Sequence, residues 1–179
     1  MKILVSEEQL QNGIRRMAAE IQKRYEGRPL TLVGVLIGSV VLLGDLIRLL
    51  NMPLRAELVQ ARNARGNAPR PGPLVIDEDL LSFAVRGRDV LVVDDIFHTG
   101  RTLWELIPQI DDLGANSVHS AVLLEKQGQS QVAIKPDFVG FQIPDEFVVG
   151  YGLDFHDRYR NLPYLAALEP AELAEEPGR

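Results

Sequence analysis

Residues 90–113 constrain the fold of this chain more than any other stretch. Val90-Leu91-Val92-Val93 is a run of β-formers without a polar break, as expected of a strand buried on both faces. It leads into Asp94-Asp95 and then Ile96-Phe97-His98-Thr99-Gly100-Arg101-Thr102. From Thr102 the spacing predicts a helix to Leu113, stopped by Gly114. Strand, short loop and helix in that order begin a βαβ unit, which calls for a parallel sheet. The loop also has a chemistry of its own. Gly100 permits a tight turn with inward N–H groups, Thr99 and Thr102 add hydroxyls, and the helix brings its positive end to the same place. Asp94, Asp95, Thr99, Gly100, Arg101 and Thr102 are therefore the candidate phosphate and ribose residues. The two acids suit ribose hydroxyls or a hydrated magnesium ion. A plain strand, turn and capped helix with solvated acids is the ordinary alternative. If the seat is real, a β-branched residue at Gly100 should abolish nucleotide binding and leave the fold intact.

The rest of the chain repeats the alternation. Ser6 is placed to cap a helix with Glu7 and Glu8 in its first turn, and Leu10, Ile14, Met17, Ile21 and Tyr25 recur at helical spacing up to Gly27. Leu30 to Leu36 reads as a buried strand, and Val40 to Leu50 as a helix. Strands are also expected at Leu54–Val59, Leu74–Ile76, Ser117–Leu124, Phe138–Phe141 and Phe147–Tyr151. Ala61 to Pro73, rich in Arg, Asn, Gly and Pro, reads as a mobile loop. The predicted architecture is α/β: a mostly parallel sheet of about five strands between helices. A small hood is expected from the N-terminal region and the segment after Pro136. Trp104 is read as packing, and His119 and His156 as surface residues without metal-ligand spacing.

Composition sets the outer bounds. A chain of 179 residues suits one domain, 1–179, with the acidic tail after about residue 168 expected to fray. The net charge of −6 offers no global basic field for nucleic acid. Without cysteine there are no disulfides or thiolate metal sites. The apolar start, Met1 to Val5, is too short for a signal peptide, and the longest apolar stretch, 30–50, is broken by Gly34, Gly38, Asp45 and Arg48. No membrane partner is expected, and the cytoplasm is the expected location.

Two stretches carry a resemblance. Val90 to Leu103 resembles the phosphoribosyl-pyrophosphate motif of type I phosphoribosyltransferases. Lys135-Pro136-Asp137-Phe138-Val139-Gly140-Phe141 through Phe147-Val148-Val149-Gly150-Tyr151-Gly152-Leu153-Asp154, continuing in Tyr159-Arg160-Asn161-Leu162-Pro163-Tyr164, resembles the purine-binding region of hypoxanthine-guanine phosphoribosyltransferases. With Leu36-Ile37-Gly38-Ser39 they follow the family order over roughly Leu30 to Leu165. The resemblance implies attack of a purine nitrogen on C1 of the ribose, with pyrophosphate leaving and magnesium assisting. It implies that Lys126 approaches the purine 6-oxo group, Phe147 stacks on the ring and the Val148 backbone reads its edge. Asp154, in the purine-binding segment, would help hold magnesium, with Asp94 and Asp95 as further candidate ligands. Ile37 and Gly38 would lie in the pyrophosphate loop and Arg160 would contact pyrophosphate. Phosphoribosyl pyrophosphate and a purine base or nucleotide are the implied partners, and a homodimer or homotetramer the implied assembly.

The sequence departs from the family at three places. The family has aspartate, read as the base toward the purine, where this chain has His98. It has Lys or Arg at the position of Ile37. Its mobile loop carries a Ser-Tyr pair, where this chain reads Gln60-Ala61-Arg62-Asn63-Ala64-Arg65-Gly66-Asn67. Two readings follow. One is an active purine phosphoribosyltransferase with His98 in the catalytic position and Arg62 or Arg65 supplying the missing charge. The other is a weak or inactive relative that binds purine nucleotide as a sensor or interaction protein.

Overall fold

The structure, a computed structural model, describes residues 1–60 and 76–174. Five parallel strands form the main sheet: β2 (Leu30–Leu36), β3 (Leu54–Gln60), β4 (Asp89–Phe97), β5 (Ser117–Lys126) and β6 (Phe138–Ile143). Their order is β3-β2-β4-β5-β6, and every neighbouring pair is parallel. The alternation of side chains sorts each strand onto two helical layers. Leu30, Leu32, Leu91, Val93, Ala121 and Leu123 pack with α1 (Glu7–Tyr25) and α2 (Val40–Leu49). Val33, Val35, Val90, Val92 and Val122 face the other way, onto α3 (Glu78–Val85) and α4 (Arg101–Asp112). The sheet is thus buried on both faces, as the uninterrupted apolar runs require.

Local signals explain the helix ends. Ser6 and Gln9 close a capping box at the start of α1, with Glu7 and Glu8 in its first turn. Glu26 and Gly27 both take left-handed conformations at its end. Helix α3, absent from the sequence-based expectations, is capped by Asp77 and buries Leu81, Ala84 and Val85. Ile76, expected in a strand, is the approach to that helix; Leu74 and Val75 lie outside the described residues.

A small antiparallel sheet, β1 (Lys2–Val5), β8 (Leu165–Ala167) and β7 (Val148–Val149) in that order, forms the hood. The strand expected over Phe147–Tyr151 is only two residues long. Gly150, Tyr151 and Gly152 all have positive φ, and the chain folds back through a Gly150–Leu153 bridge. Pro170–Leu173 form a short helix, α5, and Glu172 lies 2.7 Å from the Met1 amine. Residues 175–179 lie outside the described part. Trp104 is more than half exposed on α4, contrary to its reading as packing. His119 is half-buried against Tyr25 in an edge-on ring contact, so of the two histidines only His156 is a surface residue. Among the described residues, no helix is long and apolar enough to cross a membrane.

Candidate functional site

The site lies at the carboxyl ends of β2, β4 and β5, where parallel sheets leave a crevice for ligands. Gly100 is the N-cap of α4, with φ of 80°. No side chain caps this helix, and Thr99 Oγ1 accepts from the Arg101 N–H at a long 3.4 Å. The first-turn N–H groups are therefore directed at the loop, the arrangement that seats an anion. Asp94, Asp95, His98, Thr99, Arg101 and Thr102 line a cavity of 310 Å³ over this end of α4. Arg101 lies along α4, with Nε 2.6 Å from Glu105. A Cβ on Gly100 would stand 2.4 Å from Val132 Cγ2 and 2.6 Å from Phe97 Cζ. The left-handed backbone and these contacts mean that a β-branched residue here would strain the fold itself, so such a variant cannot isolate binding.

Asp94 is buried, and its Oδ1 accepts the Asp95 N–H at 2.9 Å. Burial, and the Asp95 carboxylate beside it, hold its pKa well above the usual carboxylate range. Burial raises Asp95 as well, against hydrogen bonding from the backbone and the nearby Arg160 charge. A pair of acids that resists full ionisation favours a ligand bringing hydroxyl donors or a cation. Among the described residues no three His, Asp or Glu side chains gather as a metal site. Asp94, Asp95 and Asp154 carry the hard carboxylate oxygens that magnesium prefers, and Asp154 Oδ2 accepts the Asp157 N–H at 2.9 Å.

Glycine permits three segments to meet. A Cβ on Gly38 would fall 1.5 Å from Asp95 Oδ2, and one on Gly152 would fall 2.3 Å from the Gly38 carbonyl oxygen. Arg160 fastens the turn, donating to the Gly152 carbonyl at 2.7 Å and pairing with Asp154 at 2.8 Å. Ile37 stands beside this junction with 55% of its surface exposed, and the peptide joining Leu36 to it is cis.

The other half of the site is built on β5 and the chain after β6. Lys126 ends β5, and its Nζ lies 2.9 Å from Asp145 Oδ1. Across the same oxygen stands His98 Nε2, at 3.8 Å. The Lys126 ammonium holds the Asp145 carboxyl below the usual range. Phe147 is not core: 43% of it is exposed, and its ring meets Phe155 edge-on at 5.3 Å. The Phe147 carbonyl accepts from Leu168, so by strand alternation the N–H and C=O of Val148 face the open edge of the hood sheet.

Contacts tie His98 and Lys126 to Asp145, and bring Gly38, Gly152, Asp154 and Arg160 to the Asp95 corner. Arg62 and Arg65 lie outside the described residues. Asp145 and Gly152 received no role from sequence. Asp145 is one acid in a polar turn and Gly152 one glycine among many, so only the fold reveals their contacts. A larger cavity, 640 Å³, lies at the opposite, amino ends of the strands between Arg24, Arg28, Arg88 and His119. It contains none of the convergent groups above.

The model of the phosphoribosyl transferase domain matches residues 4–156. The chain is 41% identical over 174 residues to the bifunctional protein TilS/HprT of Listeria innocua, covering 97% of this chain but 27% of that one. It thus spans about a quarter of that relative's length. With the hypoxanthine-guanine phosphoribosyltransferase of Staphylococcus aureus it shares 37% identity over 169 residues, 94% of both chains. The crystal structure of a hypoxanthine phosphoribosyltransferase from Staphylococcus aureus superposes with a TM-score of 0.86 at 35% identity, over 96% of this chain and 92% of that one.

Proposed function

The chain belongs to the hypoxanthine-guanine phosphoribosyltransferase family, and from that premise we propose that it is a purine phosphoribosyltransferase. It would transfer ribose 5-phosphate from phosphoribosyl pyrophosphate to hypoxanthine or guanine, releasing pyrophosphate. The observation that carries the proposal is the convergence of a phosphate seat, an acid pair and a cationic donor on one crevice. These come from loops far apart in sequence: 94–102, 36–39, Lys126 and 145–160.

Each residue then has a task. The N–H groups at the start of α4, with the Thr99 and Thr102 hydroxyls, bind the 5-phosphate. Asp94 and Asp95 accept from the ribose hydroxyls. The Lys126 ammonium has three donors, so it can reach a 6-oxo oxygen while keeping Asp145. Phe147 offers its exposed face to the ring, and the Val148 peptide groups bind its edge. The Gly38 backbone and Arg160 contact the pyrophosphate. His98 takes the proton leaving the purine nitrogen. Magnesium, when held by Asp154 with Asp94 and Asp95, supplies positive charge against the leaving pyrophosphate. Neighbouring subunits would place the protein in a homodimer or homotetramer, and its site of action would be the cytoplasm.

One observation favours the second reading, a nucleotide-binding relative with little activity. Ile37 puts an exposed apolar side chain where the family has a cation. Incubation of the protein with magnesium, phosphoribosyl pyrophosphate and hypoxanthine or guanine separates the two. Nucleotide formation supports the enzyme, and binding of product without formation supports the alternative.

A further inference from the structure

We propose that Asp145 is the positioning residue for the proton transfer, orienting His98 and Lys126 together. This rests on the phosphoribosyltransferase reading above. A histidine in place of an acid leaves a problem of charge. An aspartate that takes a proton becomes neutral, whereas a neutral imidazole becomes a cation and needs an anion beside it. Asp145, from the turn after β6, is placed to supply it. Its Oδ1 lies 3.8 Å from His98 Nε2 and 2.9 Å from Lys126 Nζ. The first distance is longer than a hydrogen bond, and catalytic hydrogen bonds that are long without substrate often tighten in its complexes. Among the described residues, Asp94, Asp95 and Arg101 on the histidine's own strand and loop line the same cavity as His98. Asp95 lies three residues upstream and Asp94 four, and Arg101 lies along α4 toward Glu105.

The division of labour follows from which nitrogen faces Asp145. With Nε2–H toward the carboxylate, Nδ1 keeps its lone pair for the substrate. As the purine nitrogen bonds to C1 of the ribose, the bond from C1 to the pyrophosphate oxygen breaks and pyrophosphate leaves with that electron pair. The purine N–H proton passes to His98 Nδ1, and the imidazolium charge is met by Asp145. The carboxylate fixes the tautomer and stabilises the cation without itself taking a proton. The same oxygen anchors Lys126, so proton acceptor and 6-oxo donor are set by one group.

A double-mutant cycle on turnover tests this, with nucleotide formation measured for wild type, Asp145→Asn, His98→Asp and the double variant. Asp145 is 44% exposed and His98 47% exposed, so these variants should fold, as thermal melts would show. Removing the partner carboxylate of a buried catalytic triad costs about 10⁴-fold. Solvent at Asp145 weakens its field, so we expect a fall in kcat of roughly 10–100-fold, with a smaller loss of product affinity, about 2–5-fold, from the loosened Lys126. In the His98→Asp background no imidazolium forms, and Asp145→Asn should cost less than about 5-fold. Asp145→Glu should recover part of the wild-type rate. An equal loss in both backgrounds, or a loss confined to KM, overturns the positioning role and leaves the enzyme assignment standing. A wild-type protein that forms no nucleotide overturns the enzyme assignment, and the positioning role with it.

Discussion

At the scale of single residues, the site holds groups in states that cost stability. Asp94 is the plainest. Its folded-state pKa lies above the ordinary value of 3.8, so the folded chain binds the extra proton. Stability attributable to this group is therefore lost as pH rises from about 4 through the raised value. Asp94→Asn keeps the acceptor for the Asp95 N–H and removes the charge. Without magnesium or nucleotide, it should stabilise the protein at neutral pH by about 0.5–2 kcal/mol, the usual return from relieving a functional strain. The gain should shrink as the pH approaches 4, and activity should fall. Melting curves across pH check this, and an unchanged or lower Tm at pH 7 would count against the burial argument. Lys126→Ala addresses the base. It should weaken guanine or hypoxanthine nucleotides by about 1.5–3 kcal/mol, the range for a hydrogen bond to a charged group, and adenine nucleotides less. Titration calorimetry with the three nucleotides reads the difference, and equal losses would contradict the role.

At the scale of elements, the site depends on loops pressed together by glycine. Gly152→Ala would drive a Cβ into the Gly38 carbonyl from a backbone with φ of 100°. It should cost about 1–3 kcal/mol of stability and raise the KM for phosphoribosyl pyrophosphate. A fully active, equally stable variant would show that the junction has slack. Thr102→Val tests the seat better than a change at Gly100, since it removes one hydroxyl and keeps the shape. Nucleotide monophosphate affinity should fall by about 0.5–1.5 kcal/mol, the net worth of one hydrogen bond. Much of this was legible beforehand. The buried runs 30–36 and 90–93 named their own strands, and Ser6 its cap, because the signals are local. Helix α3 was readable too, from Asp77, the acids after it and the spacing of Leu81, Ala84 and Val85. It was hidden by its position after a loop rich in breakers. The hood strands β7 and β8 are too short to show a period. The Asp145 contacts and the Gly38–Gly152 junction join segments whose separation in sequence carries no trace of their meeting in space.

At the scale of the whole molecule, the fold puts the 94–102 loop, the 36–39 loop and Lys126 at the carboxyl end of a doubly covered sheet. Phe147 and Val148 come from the hood sheet and its approach. The departures at His98 and Ile37 sit beside Lys126, Phe147 and the 94–102 loop, all in the family order, and this favours catalysis over binding alone. The third departure falls in 60–67, of which 61–67 lie outside the described residues. The most direct test is formation of nucleotide by the wild-type protein from magnesium, phosphoribosyl pyrophosphate and a panel of purines. Inosine or guanosine monophosphate is the expected product, with pyrophosphate released in equal amount and adenine used poorly. Tight binding of guanosine monophosphate by a folded protein that forms none of it, at any pH at which it stays folded, would contradict the account.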